Sequence, residues 1–399
     1  MHRPQLLVIC HVNLGTSLSG GDRIFLNIIK YWRKYYHISA LASPEAINLI
    51  NRNKLHPQII STTKLPTISR LTTFNLFIHH SLRFITGIIF CLTHQSILKK
   101  AQYIYTSSDF YGDFIFGLIA KLVNPAIVWF CGYYLMAPKP TNPNSPYIIN
   151  KYPLRGYIYY LAQIPTIFFA KKYADHLFVT SEPDVKVFKN SHLPISKIHI
   201  IQGGVYLPTP QQLSTMLPPR ERQYDAFFLG RLHSQKGIIE MVEIWRLVVN
   251  KYPTAKLVII GDGELMIQML QKISKLKLKN NITIIGFLIG PEKFNIIKDS
   301  KIVIHPATYD SGGMAAAEAM AWGLPGVSFD LPALKTYYPI GMIKTPNLDI
   351  QKFADNIVLL LRDQKLYHHI SQDALKLTRD VWGWAKRLDN IYSQIKVSR

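Results

Sequence analysis

The chain has 399 residues, 48% of them apolar and 18% charged, which suits two buried cores and excludes a disordered chain or a collagen-like repeat. Its three cysteines, Cys10, Cys91 and Cys131, form no CxxC pair, so neither a zinc knuckle nor a disulfide framework is specified and a reducing compartment is expected. The 46 Lys and Arg against 24 Asp and Glu give a net +22, and residues 1–205 hold 21 basic and 7 acidic side chains, so the excess favours an anionic partner met by the first half.

Leu6 to Cys10 is an apolar run too short for a secretory h-region of roughly 7 to 15 residues, and it reads as a first strand. A glycine loop, Gly15 to Asp22, follows it and opens a helix over 23–32; it matches neither GxGxxG nor GxxxxGK[ST]. Gly20 and Gly21 there suit either a tight turn or a backbone approach to a phosphate. The most apolar stretches, 74–92 and 157–170, are interrupted by His79, His80 and Arg83 and by Gln163 and Pro165. They fall short of the roughly 20 residues of a span, so no membrane crossing is expected. Further strands are expected over 103–106, 127–130, 177–180 and 198–201.

Residues 206–223 contain four prolines and no apolar period, and read as a linker. The strand-helix pattern then restarts, with strands over 226–229, 256–260, 282–285, 302–305 and 326–329, and a closing helix within 381–397. The division expected is 1–205, an acceptor-binding domain; 206–223, a linker; 224–380, a nucleotide-binding domain; and 381–399, a terminal helix. Alternating short strands and helices give an α/β class of two doubly wound, Rossmann-like domains, whose ligands bind at the carboxyl ends of the strands facing a central cleft.

Two motifs of the second half carry chemistry. In Gly230-Arg231-Leu232-His233-Ser234-Gln235-Lys236-Gly237, two cations flanked by glycines at a strand end suit a diphosphate, although two solvated cations would look the same. In His305 to Pro325, a strand gives way to a loop with Asp310, Ser311, Gly312 and Gly313, then to an alanine-rich helix from Met314 holding Glu318. The helix start favours a phosphate, and the two acids can reach opposite ends of one bound molecule. An ordinary buried strand-loop-helix unit explains the alanines but not the acids.

The ordered series GRLHSQKG, GDGEL (261–265), IIGFLIG (284–290) and DSGGMAAAEAMAWGLP resembles the nucleotide-sugar-dependent glycosyltransferase family 4. The early SGGDR, the run ADHLFVTS (174–181), IIQGGV and the tail WGWAKRLDNIYSQI extend the likeness along nearly the whole chain. The resemblance implies GT-B architecture, with the terminal helix returning towards the first domain, and retaining transfer of a sugar from a UDP-, GDP- or ADP-sugar without a metal. Arg231 and Lys236 would neutralise the departing diphosphate, Asp310 would contact the sugar, and Glu318 the ribose. Amides at Gly313 and Met314, with Ser311 and Gly312 in the same loop, would meet the phosphates; Gly20 and Gly21 would lie against them, and Gly286, Phe287 and Leu288 near the base. The family's first glutamate is replaced by Asp310, and its first-domain histidine is missing from Val128 to Tyr134. His11, Cys131 and Tyr133 are therefore the acceptor-side candidates.

A glycan or polyprenyl-phosphate-linked acceptor on an anionic membrane surface would account for the basic first half, and implies a cytoplasmic protein peripheral to the inner face of the membrane, with Arg83, Lys99, Lys100, Lys171 and Lys172 on that face. A degenerate chain that binds a nucleotide or a partner transferase is the rival reading. Nucleic acid is not an expected partner, since it would leave the acid and glycine motifs idle.

Overall fold

Seven strands, β1 (Gln5–Cys10), β2 (His37–Ala42), β3 (Gln58–Ser61), β4 (Tyr103–Thr106), β5 (Val128–Tyr133), β6 (His176–Val179) and β7 (Ile198–Ile200), pair in parallel in the order β3-β2-β1-β4-β5-β6-β7. This computed structural model describes residues 3–13, 19–65, 73–142, 145, 153–189, 193–288, 290–310 and 313–397. Helices α1 (Gly20–Trp32), α2 (Pro44–Arg52), α3 (Thr73–Thr93), α4 (Gln95–Lys100), α5 (Tyr111–Val123), α6 (Pro153–Tyr173) and α7 (Glu182–Phe188) connect these strands. Leu6, Leu7, Val8 and Ile9 are all fully buried, as a central parallel strand covered on both faces requires.

A second parallel sheet is built from β8 (Tyr224–Leu229), β9 (Leu257–Ile260), β10 (Ile282–Gly286), β11 (Ser300–His305), β12 (Gly326–Phe329) and β13 (Met342–Thr345), in the order β10-β9-β8-β11-β12-β13. Its helices are α8 (Pro210–Leu213), α9 (Ile238–Lys251), α10 (Met266–Lys275), α11 (Pro291–Lys298), α12 (Met314–Met320), α13 (Pro332–Tyr337), α14 (Ile350–Arg362) and α15 (Gln364–Val381). The final helix, α16 (Trp384–Val397), groups with the first sheet. There the Trp32 indole N–H donates to the Leu388 carbonyl at 3.1 Å, and the Tyr35 and Tyr392 rings stack at 3.6 Å. The first unit thus comprises 1–140, 153–203 and 384–399, and the second runs over 204–383 with the described part of 141–152.

Residues 206–223 are more ordered than a linker. The Thr209 hydroxyl accepts from the Gln212 amide while the Gln212 side chain accepts from the Thr209 amide, a capping box that starts α8 behind Pro210. Helix α3 is also longer than expected: Phe74–Thr93 is long and apolar enough, by length and composition, to cross a membrane. Its His79 and Arg83 turn inwards instead, and Arg83, 1% exposed, donates to Glu45 at 2.9 Å. Arg83 is therefore unavailable to a lipid surface, which corrects its placement with the exposed lysines.

The first unit buries several neutral imidazoles. His176 Nδ1 lies 3.0 Å from His199 Nε2, and burial lowers His176 to about 3 and both His11 and His80 to about 4. As pH falls below 6.5, the unfolded chain takes up protons that these folded imidazoles refuse, so stability is lost on acidification. Burial raises Asp109 and Asp113 to about 6, which offsets part of that loss. The denaturant midpoint is expected to fall between about pH 7 and about pH 5. His176→Phe should flatten the slope; an unchanged slope would remove His176 from the account.

Candidate active site

In the second sheet the strand order reverses between β8 and β11, and a doubly wound sheet binds ligands where such neighbouring loops diverge. The loop after β8 closes in a single turn, Ser234–Lys236, followed by Gly237 at φ 63°. A Cβ on Gly237 would stand 1.9 Å from the Pro306 carbonyl oxygen, so only glycine lets the loop approach β11 this closely. The Gln235 carbonyl accepts from the Thr308 and Tyr309 amides at 3.1 and 3.3 Å, fastening one loop to the other.

That fastening brings Lys236 and Asp310, 74 positions apart in sequence, to 2.5 Å between Nζ and Oδ2. His305, the last residue of β11, places Nε2 3.4 Å from the same carboxylate oxygen. Burial pushes the Asp310 carboxyl up, but the Lys236 ammonium and the His305 imidazole outweigh it and hold the group well below the usual carboxylate range. Burial lowers His305, against the pull of Asp310. Arg231 stands exposed on the same loop as Lys236.

Glu318, 4% exposed on α12, is bonded to Lys293 of α11. The two acids of the motif are thus each matched by a lysine, one pair beside the other along the loop and helix that follow β11. The Ala317 amide donates to the Tyr338 hydroxyl at 3.0 Å, and Tyr338 stacks on Trp382 with ring centroids 5.5 Å apart. A Cβ on Gly313 would meet His305 Nε2 at 2.7 Å, so the loop packs directly on the imidazole that flanks Asp310. Met314 is buried at the start of α12, while Ser311 and Gly312 lie outside the described residues. Gly286 ends β10 at φ 84° with no atom within 4 Å of an added Cβ; Phe287 is half exposed and Leu288 partly buried beside it.

In the first unit, Gly20 and Gly21 begin α1, where Ser19 and Asp22 form a reciprocal cap. Gly20 is exposed, and an added Cβ on Gly21 would lie 3.2 Å from the Tyr134 ring. The three acceptor-side candidates are a correction. His11 is fully buried; Nδ1 lies 2.6 Å from Thr62 Oγ1 and Nε2 2.8 Å from the Arg83 carbonyl, so both ring nitrogens are engaged. Cys131 and Tyr133, also fully buried, belong to the core between the first sheet and its helices, where neither can touch an acceptor.

Two participants escaped the sequence reading. Lys293 had no signal, because its pairing with Glu318 is a tertiary contact across 25 positions. Asp113 accepts from the His11 and Val12 amides and from Ser107 and Ser108, tying together the loops after β1 and β4, where the first sheet reverses its order. Its only sequence mark is an acid in the first turn of an apolar helix. A cavity of about 410 Å³ lies elsewhere, at the amino ends of β2 and β3, lined by Arg3, Lys30, Arg33 and His56.

Comparison with known proteins bears on this geometry. Residues 213–377 match the family model of glycosyl transferases group 1. That stretch holds Arg231, Lys236, Lys293, His305, Asp310 and Glu318. An uncharacterised glycosyltransferase of Methanocaldococcus jannaschii is 32% identical over 168 residues, 40% of this chain and 40% of that protein. The poly(glycerol-phosphate) alpha-glucosyltransferase of Bacillus subtilis is 24% identical over 273 residues, 64% of this chain and 38% of that protein. The chain spans about two fifths of the length of these curated relatives. Anabaena HepE, solved in complex with UDP-glucose, superposes with a TM-score of 0.70 over 98% of this chain and 99% of its own, at 16% identity, a likeness of fold alone. The two parallel sheets are those of GT-B glycosyltransferase structures.

Proposed function

We propose that this chain is a retaining glycosyltransferase of the family 4 type, taking a sugar from a nucleoside diphosphate sugar, UDP first among the candidates. The observation that carries the reading is the Lys236, Asp310 and His305 cluster at the reversal of the second sheet, inside the stretch that matches group 1 transferases. Departure of a diphosphate concentrates negative charge, and fixed cations aimed at that charge lower the barrier without reorganising. Lys236 and the exposed Arg231 supply them, Lys236 being held in place by Asp310 until a phosphate competes for it. Side-chain cations take the place of a metal in this reading. Asp310, ionised at all working pH, accepts from sugar hydroxyls, and Glu318, once released from Lys293, accepts from the ribose. The Gly313 and Met314 amides approach the phosphates, and Gly286 to Leu288 lie against the base.

The acceptor is a glycan or a polyprenyl-phosphate-linked sugar, reached at the inner face of the cytoplasmic membrane. The net +14 of residues 1–205 supports an anionic one, and the poly(glycerol-phosphate) substrate named for the Bacillus relative is such a polymer.

A thermal-shift titration with UDP, GDP and ADP tests the donor site. A nucleotide at about 100 times its Kd stabilises the fold by roughly 2.7 kcal/mol, a shift of several degrees. One nucleotide is expected to give that shift and Glu318→Ala to abolish it. A cooperatively folded sample that responds to none of the three would leave the chain as a degenerate, non-catalytic relative.

A further inference from the structure

Helix α6 is built inside out. Leu154, Leu161, Ile164 and Phe168, at spacings of three, four and seven, are 69%, 58%, 50% and 59% exposed along one face. The opposite face buries Gly156, Gln163, Thr166 and Ala170, small or polar residues. A helix facing water carries the reverse pattern, with its large apolar side chains against the core.

Helix α3 repeats the inversion along most of its length, before Phe90 and Cys91 join the core. Phe74, Phe77, Ile85, Ile89 and Leu92 are exposed, between 51% and 71%, while His79, Arg83 and Gly87 turn inwards. Both helices pack against α5, whose Leu122 is itself 60% exposed, so the two stripes flank one helix of the first unit. Scattered exposed apolar residues are ordinary, but two such series on helices that both pack against α5 form a patch that water does not favour.

The charges around this patch identify what covers it. Helices α3, α4 and α6 contain no Asp or Glu at all. Lys99 and Lys100 end α4, and Lys171 and Lys172 end α6. A second copy of the chain would bring the same lysines to the same rim and repel, since a two-fold interface is self-complementary. Anionic headgroups over hydrocarbon match both the apolar stripes and the cationic rim.

We propose that α3 and α6 form the face on which the first unit lies against an anionic bilayer, with the aromatic and aliphatic stripes entering the headgroup boundary and Lys99, Lys100, Lys171 and Lys172 meeting lipid phosphates. This deepens the reading of a membrane-borne acceptor given above and rests on it, while its surface is separate from the donor site.

The test is flotation of the full chain with vesicles of phosphatidylcholine alone or mixed with phosphatidylglycerol. The chain is expected to float with the mixed vesicles and to be released by salt. Phe77→Ser with Phe168→Ser should weaken partitioning by at least about tenfold. Lys99→Ala with Lys100→Ala and Lys172→Ala should remove the preference for phosphatidylglycerol. All these positions are exposed, and each variant should keep the wild-type melting midpoint and nucleotide shift. Equal flotation with both vesicle types, no flotation, or a wild-type dimer that dissociates in the Phe77→Ser, Phe168→Ser variant would each overturn the proposal. Flotation without any nucleotide shift would sink the donor site and leave this face standing.

Discussion

Lys236→Met is expected to lower sugar transfer by at least about a hundredfold, the scale on which a preorganised group facing developing charge is felt. It is also expected to lower stability by about 3 kcal/mol, because Asp310, whose side chain is 7% exposed, keeps a buried charge with its principal cation gone. His305 at 3.4 Å compensates in part by holding a proton more tightly, so the loss should shrink as pH falls below 6.5. Asp310→Asn alone should be milder, since Lys236 is the more exposed partner and can turn to water. The double variant Lys236→Met, Asp310→Asn separates the roles. It should recover most of the stability and none of the activity; recovery of transfer would make the pair structural.

Gly237→Ala should be among the most damaging single methyls in the second unit. A left-handed backbone costs a non-glycine residue roughly 1 kcal/mol or more, and here the new Cβ also meets the Pro306 carbonyl at 1.9 Å. Neither backbone can retreat without breaking the Gln235 bonds to Thr308 and Tyr309, so a total loss of about 3 to 5 kcal/mol is expected in denaturant melts. Gly286→Ala provides the comparison. Gly286 shares the positive φ, at 84°, but has open space around it, so its cost should be the backbone share alone, about 1 kcal/mol. Equal costs at the two positions would mean that the two loops are not clamped together as described.

Most of the strands were legible, the edge strands β7 and β10 among them. Leu6–Cys10 of β1 and all of β9 read as unbroken apolar runs, because a parallel strand under helices has no polar side to show. β2 (HISALA), β3 (QIIS) and β13 (MIKT) were not legible, since polar or small residues interrupt them. In the site, Lys236, Asp310 and Glu318 were legible because glycines and strand ends surround them in sequence. His11 was misjudged: a histidine directly after a strand looks available, and only the fold shows Thr62 and the Arg83 carbonyl taking its two nitrogens. Helix α6 shows the same limit, as its apolar stretch was visible but not that its large side chains turn away from the core.

The first unit receives its final helix only after the chain has passed through all of 204–383. During synthesis α1 therefore waits, with Trp32 and Tyr35 uncovered, until α16 has emerged to supply Leu388 and Tyr392. A premature stop before Trp384 would leave the second unit whole and injure the first, so the lesion would appear at the opposite end of the polypeptide from its cause. Such a truncated product would expose α1 to chaperones and proteases while its second unit remained intact.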